Sequence, residues 1–155
     1  MATFSVSLPA RGILDVPAEL VGRTVGEAMV RAPKVLDPSA TVADLHAFFL
    51  DDHVHAALVV DGAGRLLSVV RPTDLDGRTP SQTAVEVGRL SGRVVSPDVD
   101  LVEAWDLMLR RGQRRLAVAD ARGRLLGLLC LKRSGRGFCS DAGVAARSPA
   151  DRRPA

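Results

Sequence analysis

Asp74, with Thr73 beside it, is the side chain of this sequence best suited to hold a small polar ligand. A carboxylate accepts hydrogen bonds from both hydroxyls of a ribose, because each is a donor and it has acceptor capacity for the two. The plainer reading is a helix cap, since Asp and Thr just after a strand commonly start a helix. Arg114-Arg115 form a basic pair in the second half of the chain. Guanidinium forks of this kind suit an anion, although a solvated edge needs nothing more. His53 and His55 are separated by one residue and His46 precedes them, but no cysteine or carboxylate cluster has ligand spacing with them, so a loop role outweighs a metal site. Cys130 ends an apolar run and reads as a small buried hydrophobe, and Cys139 lies in a loop with no assigned chemistry. Gly62-Ala63-Gly64 has neither the three-glycine dinucleotide fingerprint nor a Gly-Lys-Ser/Thr ending, so its glycines serve a turn.

These residues are positioned by a hairpin that occurs twice. Ala56 to Val60 is apolar, Asp61 to Gly64 is a turn, and Leu66 to Val70 is apolar again. Leu116 to Leu129 repeats the pattern around Asp120 and Gly123. A constant offset of 59 superposes Pro38 on Pro97, Thr24 on Thr83, Glu27 on Glu86, Asp61 on Asp120 and Arg65-Leu66-Leu67 on Arg124-Leu125-Leu126. A register held over so long a span marks a duplicated supersecondary unit. Thr24…Glu27 and Thr83…Glu86 have capping-box form, and Thr41…Asp44 and Asp100…Glu103 open second helices. Leu101, Ala104, Trp105 and Met108 then fall on one helical face, with Trp105 as a core anchor. Each unit is expected as short helix, short strand, helix, strand, turn, strand. The expected organisation is an extension over 1–23, a first unit over 24–76, a linker over 77–82, a second unit with a C-terminal helix over 83–147, and a frayed tail over 148–155. The extension is expected to hold a short strand at Phe4 to Leu8 and a helical turn opened by Asp15.

Composition narrows the function. Of 155 residues, 46% are apolar, enough for a sizeable core. Only 3% are aromatic, which argues against a stacking platform for single-stranded nucleic acid. The 21 basic and 18 acidic residues are interspersed, unlike the clustered face of a nucleic-acid binder. No signal-peptide pattern or membrane-length apolar run is present, and two cysteines suggest no disulfide framework, so a reduced cytoplasmic setting is expected.

The paired units resemble a tandem pair of cystathionine-β-synthase (CBS) domains, a Bateman module. The resemblance rests on Val25 to Met29, Pro38 to Val42, Leu58 to Asp61, Gly64 to Val70 and Asp74-Leu75 in the first unit. In the second it rests on Pro97, Leu101 to Met108, Arg114 to Asp120 and Gly123 to Leu129. It implies an α/β (α+β) fold of two β-α-β-β-α motifs related by pseudo-two-fold symmetry. It further implies a regulatory rather than catalytic protein, often dimeric, whose clefts take AMP, ADP, ATP or S-adenosylmethionine and which needs no cofactor.

The family's ligand motif is Gly, two apolar residues, Ser or Thr, two variable residues, and Asp. Here the first unit reads Ser68 to Asp74, with Ser68 at the Gly position and Arg71 at the Ser/Thr position. The second reads Gly127 to Arg133, with Cys130 at the Ser/Thr position and Arg133 in place of Asp. The resemblance therefore implies one cleft in which Asp74, Thr73 and Arg71 face Val94, Val95, Arg114, Arg115 and Ala117. It implies a second cleft, around Val35, His55, Ala57, Cys130 and Arg133, without a ribose anchor. Three functions stand open: a nucleotide-sensing homodimer acting on a partner protein, a degenerate pair kept for dimerisation or docking, and, least favoured, nucleic-acid binding through the arginines.

Overall fold

The computed structural model describes residues 16–51 and 54–140. The expected strand at Phe4 to Leu8, Asp15, His53, the helix after Ser140-Asp141 and the tail fall outside them, while the expected helical turn after Asp15 is a 3-10 turn over Ala18–Leu20.

Each helix begins where a side chain satisfies the first backbone N–H groups. α1 (Val25–Ala28) opens with the Thr24 N–H donating to Glu27 Oε1 at 2.9 Å. α2 (Val42–Phe48) and α3 (Ala84–Val87) open with reciprocal boxes: the Thr41 and Thr83 N–H groups donate to Asp44 and Glu86, whose own N–H groups return to the threonine hydroxyls at 3.3 Å. α4 (Leu101–Arg111) is capped by Asp100, which accepts from the Glu103 N–H, and it ends at Gly112, whose φ of 65° stops the helix.

Two three-stranded sheets carry the hairpins. In the first, β1 (Val35–Leu36) runs parallel to β2 (Ala57–Val60), which pairs antiparallel with β3 (Leu66–Val70). In the second, β4 (Val94–Val95), β5 (Arg115–Ala119) and β6 (Leu125–Cys130) repeat that order. Both hairpin turns are held by an aspartate: Asp61 Oδ1 accepts the Ala63 and Arg65 N–H groups, and Asp120 Oδ1 accepts those of Arg122 and Arg124. Gly64 and Gly123 follow at φ of 86° and 83°, where a side chain would be strained.

The 59-residue offset becomes a spatial two-fold. Arg65 bridges Arg124, its own equivalent, and the two turns exchange bonds from Leu66 N–H to the Gly123 carbonyl and from Leu125 N–H to the Gly64 carbonyl. The Thr24–Asp100 and Thr41–Thr83 bridges are images of one another, as are Val30–Leu128 and Val69–Arg89. Leu58, Leu66, Val69 and Ala117 form a shared core between the sheets.

The short helices cross over. Val25 of α1 is buried among Leu101, Met108, Leu116, Val118 and Leu129 of the second unit. Ala84 and Val87 of α3 are buried with Val42, Leu45, Ala57, Val59 and Val70 of the first. The spatial units are therefore two β-α-β-β-α motifs, the second borrowing its helix from the N-terminal side.

Candidate functional site

Asp74 sits in a 3-10 turn (Pro72–Leu75) directly after β3. Its carboxylate accepts the Arg71 N–H at 2.8 Å, closing that turn from within; it does not cap a helix of its own. Both of its oxygens also meet Arg93, a residue that the sequence reading overlooked. Arg93 Nη1 donates to Oδ2 at 2.6 Å and Nη2 to Oδ1 at 3.1 Å. Nη1 donates to the Val69 carbonyl as well, at 2.7 Å. Arg93 is 3% exposed, so the ion pair joins the two units from within the seam. Burial opposes the charge on Asp74, but the Arg93 hydrogen bonds, the Arg71 N–H and the nearby Arg93 and Arg89 charges outweigh it and lower its pKa.

A pocket of about 210 Å³ opens beside this pair. Arg71 enters it from the end of β3, Arg93 from the approach to β4, Gly112 to Arg114 from the turn between α4 and β5, and Arg115 from the start of β5. His55, Ala56 and Val69 complete the wall. Arg114 Nε and Arg115 Nη1 both donate to the Leu131 carbonyl, at 3.3 and 3.4 Å, and Arg115 Nη1 also donates to the Arg114 carbonyl at 2.9 Å, so backbone oxygens orient both guanidinium groups. Burial first, then the charges of Arg93 and Arg89, lowers the Arg71 pKa, with Asp74 only partly offsetting them. Gln113 donates to the Gly92 carbonyl at 2.8 Å, while its Oε1 and Arg93 Nε are buried with no protein partner. The crowded cations suit an anion with several oxygens.

The other expected site residues scatter. Thr73 is exposed. Val94 packs on the shared core, Val95 packs against the core of the second unit, and Ala117 is fully buried beneath Leu58, Leu66 and Val69. Of the residues assigned to the opposite cleft, His55 lines the same pocket as Arg71 and Arg114. Ala57 is fully buried, and Cys130 is buried with Val30 and Cys139. Val35 and Arg133 are exposed. The two-fold images of Asp74 and Arg93 are Arg133 and Lys34, both basic, and Lys34 faces Asp51 at 3.9 Å. Among the described residues no group of three His, Cys, Asp or Glu side chains is placed to hold a metal, and no helix is long and apolar enough to cross a membrane.

Two mixed sheets related by a pseudo-two-fold, with exchanged short helices and a basic pocket on the seam, define a paired two-motif module. The CBS domain family model matches residues 25–77 and 93–133, and the chain belongs to that family. It is a tandem CBS pair, a regulatory and non-catalytic module. It is similar to CBSX2 solved in complex with AMP, at 28% identity over 84% of this chain and 100% of that one, with a TM-score of 0.62. A second structure of CBSX2, from Arabidopsis thaliana, is 26% identical over 87% of this chain and 100% of that chain, with a TM-score of 0.59. The cytosolic domain of the Mg2+ channel MgtE in complex with ATP shares the fold, at 24% identity over 76% of this chain and 50% of that one, with a TM-score of 0.59. A comparison with curated proteins gives no match.

Proposed function

We propose that this CBS pair senses an adenine nucleotide, AMP, ADP or ATP, in the seam pocket and passes the signal to a partner protein. The observation that carries the reading is the convergence of Arg71, Arg93, Arg114 and Arg115 around one pocket, with Arg93 held from behind by Asp74. The AMP-bound relative supports the ligand class. Phosphate oxygens match guanidinium forks and relieve the repulsion among them. At about 210 Å³ the pocket is below the roughly 300–1,000 Å³ of a site enclosing a whole drug-sized ligand, so it holds the phosphate end and leaves the base at its mouth. S-adenosylmethionine, with a sulfonium in place of phosphates, fits this charge pattern least. Signalling follows from tighter binding to one arrangement of the two units, or of a cytoplasmic homodimer, than to another.

Thermal shift with AMP, ADP, ATP and S-adenosylmethionine tests the reading. Stabilisation should rise with the number of phosphates and be smallest for S-adenosylmethionine. A second reading, a pair kept only for dimerisation or docking, is favoured by the engagement of Asp74 with Arg93. A dimeric protein whose melting ignores all four compounds would establish it and end the nucleotide reading.

A further inference from the structure

We propose that Arg93 is a built-in occupant of the one ribose-binding carboxylate, so that the pocket takes a nucleoside oligophosphate without reading its ribose hydroxyls. This rests on the nucleotide reading above and deepens it, by assigning which part of the ligand is recognised and which residue decides it.

A carboxylate offers about four acceptor positions, and a ribose diol needs two of them together. On Asp74, the Arg71 N–H and Arg93 Nη1 hold Oδ2 while Arg93 Nη2 holds Oδ1. The diol would have to evict a charge-assisted bidentate partner with two neutral hydrogen bonds, which are weaker. Arg93 has nowhere to retreat. It is buried, its Nη1 is anchored on the Val69 carbonyl, and it lies in the second unit while Asp74 lies in the first, so releasing it means opening the seam. The arrangement is not inherited from the duplication, because the image of Arg93 is the half-exposed Lys34 and the image of Asp74 is Arg133.

Arg93 nevertheless faces the ligand. It lines the pocket with Arg71, Arg114 and Arg115, and its buried Nε has no acceptor in the protein. The guanidinium charge meets an oxyanion there while Nη1 and Nη2 stay on Asp74. The carboxylate thus orients the guanidinium, and the guanidinium meets phosphate. Specificity falls on the phosphate chain, and the sugar stays outside the polar network.

Calorimetric titration of ATP and of its 2′,3′-dideoxy analogue into wild type, Asp74→Asn and Arg93→Met tests this. Wild type should bind the two ligands within about twofold of each other, since a hydroxyl that touches nothing adds little affinity. Arg93→Met uncovers the carboxylate and should create a preference for ATP of about fivefold or more. A preference of that size already present in wild type, and lost in Asp74→Asn, would overturn the inference while leaving the nucleotide reading intact. Absence of binding by both ligands to wild type would remove the two together. Should Arg93→Met fail to fold, the wild-type and Asp74→Asn ratios still decide.

Discussion

Gly88 stands against Ser68 where, across the pseudo-two-fold, Met29 stands against Gly127. A methyl on Gly88 would lie 2.7 Å from the Val69 carbonyl oxygen and 2.6 Å from Val70 Cγ2; a methyl on Gly127 would lie 2.7 Å from Met29 Sδ. Each crossing of a short helix over a final strand has room for one glycine, and the two crossings place it on opposite partners. The Ser68 departure from the family motif is thereby compensated twenty residues later. Gly88 has φ of −94°, so space and not conformation requires the glycine.

Gly88→Ala and Gly127→Ala are each expected to destabilise by about 2 kcal/mol through overpacking, read from urea midpoints. Gly88→Met with Ser68→Gly copies the opposite crossing and should be less destabilised than Gly88→Met alone. Additive effects of the two changes would deny the compensation.

The Arg93–Asp74 pair predicts an acid-sensitive seam. The pKa of Asp74 in the folded protein is lowered, so its contribution is complete above the unfolded value of about 3.9 and is lost as pH falls through the folded value. Part of the acid destabilisation measured between neutral pH and pH 3 should be missing in Asp74→Asn. Arg93→Ala, which strands a largely buried carboxylate, should cost about 3 kcal/mol at neutral pH. An equal acid loss in wild type and Asp74→Asn would count against the pair as a stabilising contact.

Trp105 ties the loop after β6 to α4. Its indole N–H donates to the Gly135 carbonyl at 2.8 Å, and its ring is buried in the second core. Trp105→Phe keeps most of the apolar contact and loses that bond, so a loss of about 1 kcal/mol is expected. Faster amide exchange around Gly135 should accompany it; unchanged exchange there would show that the loop is held by something else.

The duplicated unit was legible because its signals are local. Capping residues, the Asp61 and Asp120 turns and the apolar period of α4 act within a few positions, and the 59-residue register lines them up twice. What joins the units was not legible. Arg93 and Asp74 are 19 residues apart on different units, and Arg93 looks locally like any basic residue ahead of a strand. The helix exchange was hidden for a related reason: amphipathic patterning shows that Val25 and Val87 are buried, not which unit buries them. His55 and Arg114 are two-fold images, a relation present in the offset, and both open onto the same pocket.

In the proposed function, the arginines on the seam hold the nucleotide phosphates. Calorimetric titration of ATP into wild type and into the Arg71→Ala, Arg114→Ala double variant tests it most directly. Saturable binding to wild type, weakened about tenfold or more in the variant and by added salt, is the predicted result. Equal affinity in the two proteins, or no binding to wild type, would contradict it.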